Sequence, residues 1–264
     1  MTQERRRALP EKAMHSKIRR ILRKMFPLVF WLAVWTACYF AIHQDLLLAA
    51  PWDVAKRFTF VTTAPFWRSV GMSLMRTAAA YGIGVALACV LALLCHACPL
   101  ADEVIRPALA VVRATPVASF IILALVWLSS SNVPILAGVL MVTPVVFANV
   151  REGMAAVDPQ LREMAHLFGW GRLKTLRHVT IPSVLPTFLA ACEACVGLCF
   201  KATIAAEVIG VPKNAIGSQL HSAKIYLETD ALLAWTVTVI VLSMALEKLL
   251  CAAFERGKRH GNRA

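Results

Sequence analysis

Long apolar runs alternate with short polar stretches along this chain, a rhythm set by the thickness of a bilayer rather than by one face of a helix or strand. Residues 26–42 (FPLVFWLAVWTACYFAI) are apolar throughout, and similar runs occupy about 70–97, 107–128, 133–150, 187–209 and 231–254. About 20 apolar residues cross the roughly 30 Å of hydrocarbon as a helix. The pattern therefore predicts an all-α integral membrane protein with about six transmembrane helices. Between the runs, 43–67 and 210–230 read as external connections, 99–107 as a short polar link, and 129–132 as an uncharged external turn. The segment 151–186 is the longest polar stretch beyond the first 25 residues.

Several positions inside the runs shape the expectation further. Pro116, close behind Arg113, removes a backbone donor from the third run and predicts a kink there, and Pro144 does the same in the fourth. Gly71, Gly82, Gly84 and many alanines in the second run offer small surfaces for close helix contact.

Composition agrees with the pattern. Of 264 residues, 59% are apolar and 16% charged, against about a quarter charged in soluble domains, which excludes a water-soluble enzyme and the disordered, collagenous and disulfide-scaffold classes. Six of the eight cysteines (Cys38, Cys89, Cys192, Cys195, Cys199 and Cys251) lie in apolar runs, where a thiol acts as a small hydrophobe. Cys95, His96 and Cys98 cluster, but a tetrahedral zinc site needs a fourth ligand and none lies at finger spacing, so no metal is expected.

The net charge of +13 would suggest nucleic acid in a soluble protein, yet the basic residues flank apolar spans and no aromatic residues interleave with them. They concentrate in an arm over 1–25, in a tail over 256–264, and in the loop 151–186, which holds Arg151, Arg162, Arg172, Lys174 and Arg177. The positive-inside rule places both termini and this loop on the cytoplasmic side of a single membrane domain, 26–255. The first apolar run follows a basic stretch too long for an ordinary signal and reads as a retained helix.

Within the loop, Asp158 followed by Pro159 is a helix start, an aspartate cap before a proline at the first helical position. Leu161, Met164, Ala165 and Phe168 then recur on one face, and Gly169 supplies a left-handed stop. A short amphipathic helix is predicted.

The wording of this loop carries more. Glu163-Met164-Ala165, three residues, Gly169, nine residues, then Val179-Thr180-Ile181-Pro182 resembles the EAA loop of binding-protein-dependent ABC importer permeases: Glu-Ala-Ala, three residues, Gly, nine residues, Ile, one residue, Leu-Pro. The spacing matches throughout, with conservative departures at Met164, Val179 and Ile181. Ser73–Arg76 with Tyr81–Gly84, Arg113–Pro116, Val157–Pro159, and Ala205–Gly210 with Ala215–Gly217 are similar to stretches of the nitrate/sulfonate/taurine-type permeases. Together they cover about 68–255.

The resemblance implies a type I importer permease fold in a bacterial-type cytoplasmic membrane, with two permease chains forming the pathway. It implies that the loop, through Asp158, Glu163, Met164, Ala165, Gly169 and Pro182, docks as a coupling helix on a cytoplasmic ATP-binding subunit pair, and that an extracytoplasmic solute-binding protein delivers a small polar solute, anionic or not, of the nitrate/sulfonate/taurine-like class. His166 stands where many members carry arginine. No GxxxxGK[ST] phosphate loop occurs in the sequence, so no cofactor is expected on this chain and ATP hydrolysis is assigned to a separate subunit.

Ionisable residues inside apolar runs need a partner or a water-filled cavity. Glu193 and Glu207, fourteen residues apart, fall within about 40° of each other on a helix, and Lys201 points elsewhere. Lys201 either pairs with a carboxylate on a neighbouring helix or faces a cavity and attracts an anion. Glu207 resembles the family's glutamate before an outer gate. Arg76, near an external boundary, is expected to snorkel, and Arg113 to make a helix or gate contact beside the Pro116 kink. Arg113, Pro116, Lys201 and Glu207 are thus the candidate pathway or gate residues. A six-helix secondary transporter or channel without an ATPase is the rival reading, which inverted repeats would favour; a membrane enzyme would require a clustered acid–base or metal constellation.

Overall fold

The computed structural model describes residues 46–261 and most of 23–44, without side chains from 254 onward. The basic arm expected over 1–25 lies almost wholly outside the described residues, as do the side chains of the tail at 256–264. All regular structure among the described residues is helical. Five helices are long and apolar enough to cross a bilayer, and a sixth span results if one bent pair is counted as a broken span.

The peripheral helix α1 (Met25–Ile42) precedes a short α2 (Pro51–Arg57). Trp35 Nε1 donates to the Ala49 carbonyl at 3.1 Å and packs with Ala49, Val54 and Ala234. The stretch 43–67, expected as a plain connection, thus contains a helix, with Pro51 in its first turn, Asp53 near its start and Lys56 and Arg57 at its end, each charge matched to the helix dipole. A 3₁₀ turn (Phe58–Thr62) follows, and Pro65 then starts α3 (Ala64–Ala97), a 34-residue helix longer than the apolar run predicted.

The main correction concerns the third run. Expected as one span kinked at Pro116, it is a pair of helices sharply bent at that residue, and the polar link at 99–107 belongs to the first of them. Pro99 opens α4 (Pro99–Ala114), which holds Pro107 in its interior and buries no residue fully. A separate α5 (Val117–Trp127) follows at an angle of 105°. Pro116 explains the break: Thr115 before it is held extended at φ −82°, ψ 132°, which an α-helix cannot accommodate.

The core is the packing of α6 (Val133–Ala155) and α9 (Ile181–Gly210) against each other and against α3. Small residues set its tightness. Ala80, Gly84, Ala88 and Ala92 recur every four residues on α3 and are all buried. A Cβ at Gly84 would lie 2.9 Å from Val142 Cβ, and one at Gly138 would lie 2.6 Å from Ala80 Cβ, so the backbones approach as small-residue interfaces in lipid allow. Thr143 Oγ1 donates to the Gly84 carbonyl at 3.2 Å and Tyr81 Oη to the Cys192 carbonyl at 3.0 Å across these interfaces. Gly71 and Gly82, expected to share this role, have no neighbour within 4 Å of a built Cβ.

Between α6 and α9 lie α7 (Pro159–Leu167), α8 (Arg172–Thr175) and a π turn (Leu176–Thr180). The π turn closes with Ile181 N–H donating to the Leu176 carbonyl. It sits immediately before Pro182, which lacks the N–H that α geometry would aim at residue 178 and whose ring would press on that carbonyl. Beyond α9, the expected connection 210–230 contains α10 (Ile216–Ile225), and α11 runs from Thr229 to Gly261. Arg57 joins α2 to this last helix through Asp230 at 2.7 Å and Glu228 at 3.0 Å.

Candidate functional site

Two clusters of the predicted residues lie at opposite ends of the core. At the first, α7 is built as its sequence reads. Asp158 Oδ1 accepts from Gln160 N–H at 2.8 Å, and Pro159 follows at the first helical position. At the other end Gly169 has φ +66°, its N–H bonds the His166 carbonyl at 2.9 Å, and Trp170 N–H reaches the Ala165 carbonyl at 2.9 Å. This paired closure needs a left-handed residue, which glycine adopts without steric cost. Trp170 and Ala165 join the same apolar cluster.

The helix is fastened to the core at two further points. Ala165 is buried beside Met154, Val157 and Val179. Arg162 Nη2 donates to the Met154 carbonyl at 2.6 Å, satisfying a carbonyl that the end of α6 leaves free. Nothing in a single sequence separates Arg162 from Arg172 or Arg177, and sequence reasoning missed it. Met164 and Pro182 come together in a groove of about 340 Å³ with Leu161, Trp170, His178 and Val179. Lys174 Nζ stands 4.7 Å above the Trp170 ring.

The expected apolar face is only partly used. Glu163 is exposed and forms no ion pair among the described residues. Phe168, predicted to share a face with Leu161, Met164 and Ala165, is 71% exposed, beside Leu167 at 85% and with Leu173 at 80%. The far side of α7 thus presents apolar side chains and a free carboxylate away from the bundle.

At the opposite end, Glu207 is fully buried near the end of α9. Ser73 Oγ donates to its carboxylate at 2.7 and 2.9 Å, Arg76 Nη1 at 3.1 Å and Gly217 N–H at 3.2 Å. Arg76 also donates to the Lys213 carbonyl at 3.1 Å, and Ile216 N–H donates to Ser73 Oγ at 3.0 Å. One carboxylate therefore ties α3, α9 and α10 together, with its lone pairs and the facing cation satisfied, the condition under which buried charge is tolerated. Arg76 does not snorkel; it is 5% exposed and held by this network. Ser73 and Gly217 were missed as partners. Their signal lay in the separate stretches 73–76 and 215–217, which one sequence does not bring together.

Gly217 is required by close approach, since a Cβ there would sit 2.3 Å from Glu207 Cβ and 2.5 Å from Val208 N. The turn joining α9 to α10 holds two non-glycine residues at positive φ, Val211 at 46° and Asn214 at 52°. For a β-branched residue that conformation is strained.

The remaining predicted residues are not gathered into either cluster. Lys201 lies on the exposed stripe of α9 with Ala190, Ala194, Ala205 and Ile209, and has no ion-pair partner among the described residues. The helix-pairing expectation for it is not met among the described residues. Arg113 is exposed at the end of α4, where it lines a cleft with α6, and Pro116 marks the break between α4 and α5.

A helical core of closely packed apolar spans, interrupted by a fastened loop helix, is the architecture of a multi-pass membrane protein. The chain belongs to the binding-protein-dependent transport system inner membrane component family, which it matches over residues 84–259. It is 23% identical over 229 residues to a taurine transport system permease protein of Escherichia coli (strain K12), covering 81% of this chain and 80% of that one. A putative aliphatic sulfonates transport permease protein of the same organism is 30% identical over 104 residues, 39% of this chain and 38% of its own. The fold is similar to that of a chain in a crystal structure of an amino acid ABC transporter with histidines, with a TM-score of 0.62 and 23% identity over 73% of this chain and 93% of that one.

Proposed function

We propose that the chain is the pathway-forming subunit of an ATP-driven importer in the inner membrane, with both termini and α7 on the cytoplasmic side. The α7 helix docks on a separate ATP-binding subunit pair, and a second permease chain completes the pathway. The observation that carries this reading is the construction of α7. It is capped at both ends and fastened to α6 through Arg162, yet turns Leu167, Phe168 and Glu163 outward. Exposed apolar groups on a rigid, tethered element are what a partner surface requires.

The names of the relatives support a small polar solute of the taurine and sulfonate kind, delivered by an extracytoplasmic binding protein. Lys201 fits the same reading: a lone cation on an otherwise small and apolar stripe of α9, about 30 Å along the helix from Ile181, lines the pathway once a second chain covers that face. Glu207, with Arg76, closes the opposite end as part of an outer gate.

The test is co-purification from native cells combined with uptake of a labelled solute. The unsubstituted chain is expected to bring down an ATPase. Gly169→Val, which meets no neighbour but forces a β-branched residue to positive φ, should leave the chain inserted and lower uptake at least tenfold while loosening the ATPase. An intact chain that purifies alone yet transports would support a secondary transporter instead.

A further inference from the structure

A cleft of about 410 Å³ opens between α4 and the last three turns of α6, at the same end of the core as α7. Arg106 and Arg113 line it from α4, and Arg151, Glu152, Pro144 and Phe147 from α6. Arg106 and Arg113 are seven residues apart, so they share a face of α4 about 10.5 Å apart along the axis. Arg151 is bonded to Asp102, one turn before Arg106 on α4. That carboxylate is therefore engaged, and Glu152 is the one carboxylate in the lining. Among the described residues Arg106 and Arg113 form no ion pair.

Three guanidinium groups thus line one cavity, and with Arg151 paired to Asp102 and Glu152 in the lining the surplus is one positive charge. Arginine does not shed its proton, so an anion that enters this open cleft meets two exposed guanidinium groups that have no ion-pair partner among the described residues. Planar forks of this kind match the oxygens of a sulfonate or phosphate two at a time. The cleft is within the size range of small-molecule sites, and Pro144 and Phe147 give it an apolar wall.

We propose that this cleft binds the oxyanion headgroup of a small molecule, a sulfonate or phosphate, whether carried by a free solute or by an anionic lipid. Its occupant bears on α7 directly. Arg151 and Glu152 belong to the same final turns of α6 as Met154, whose carbonyl holds Arg162 of α7 at 2.6 Å. Filling the cleft therefore stiffens the turn from which the loop helix hangs. The inference does not depend on which solute the pathway carries.

The experiment uses the full-length chain in nanodiscs. In phosphatidylcholine discs, methanesulfonate and inorganic phosphate are titrated by calorimetry; in discs containing phosphatidylglycerol, the lipid retained after transfer to detergent is measured by mass spectrometry. Saturable binding of a soluble anion that phosphatidylglycerol does not diminish identifies a solute site. Retained phosphatidylglycerol that blocks the soluble anions identifies a lipid site. In either case Arg106→Gln and Arg113→Gln should each weaken binding about tenfold, Arg113→Lys should weaken it less, and Lys224→Gln on α10 should leave it unchanged. Arg106 and Arg113 are exposed and hold no other element in place, so their loss does not threaten folding. Failure of both soluble anions to saturate together with no enrichment of phosphatidylglycerol, or equal binding by the doubly substituted chain, overturns the proposal.

Discussion

The two ends of the helical core handle charge in opposite ways. Around Glu207 the chain answers its own polar groups: the carboxylate, Arg76, Ser73 and two backbone N–H groups form a closed set from three helices, and the space is so full that Gly217 admits no side chain. Around α7 the backbone is also satisfied, but the outward side chains are left without partners among the described residues. With α7 docking on a partner as proposed, the contrast is between an end finished by folding and one finished by assembly. Substitutions at the first should register as lost stability, and those at the second as lost association.

The largest effect is expected at Glu207. Glu207→Ala leaves Arg76 buried without its counter-charge and should cost about 3–5 kcal/mol in detergent unfolding. The double change Glu207→Leu with Arg76→Met should recover most of that loss. If the double variant is as unstable as the single one, the pair is not the source of the effect. Next comes Gly217→Ala, whose Cβ meets the backbone of Val208 and should cost about 1–3 kcal/mol through the shift it forces on α10. A neutral outcome there would mean that the end around Glu207 is less tightly filled than described.

The other end should respond more weakly in stability. Asp158→Ala removes one cap, about 1 kcal/mol, and hydrogen exchange should quicken over Pro159–Leu167 while the α3, α6 and α9 amides stay protected. Phe168→Ser and Leu173→Ser should change stability by less than about 0.5 kcal/mol and yet reduce recovery of the co-purifying ATPase. Equal losses of stability at both ends would break the comparison outright.

What the sequence discloses follows the reach of each interaction. The spans α3, α6 and α9 are written in the length of their apolar runs, and α7 is written in adjacent residues, because a cap, a proline and a glycine act within one or two turns. The break between α4 and α5 is less visible, since apolar composition continues through Arg113–Pro116 and does not encode an angle. The helix α10 escapes notice for being short and mixed. The Glu207–Arg76 pair joins positions 131 residues apart, and each charge alone reads as a snorkelling or gate residue until the fold brings them together. Phe168 shows a related limit: periodicity finds an apolar face without saying whether this chain or another covers it.

The π turn at Leu176–Thr180 adds something that neither end possesses. Closing over five residues instead of four, it keeps one residue of slack in the strut between α7 and the core helix α9. Taking that residue into the α ladder would rotate everything ahead of it by about 100° and lengthen the strut by about 1.5 Å. Pro182, just beyond the turn, opposes that conversion, so the joint acts as a latch that fixes the twist of α7 relative to the helix that crosses the bilayer.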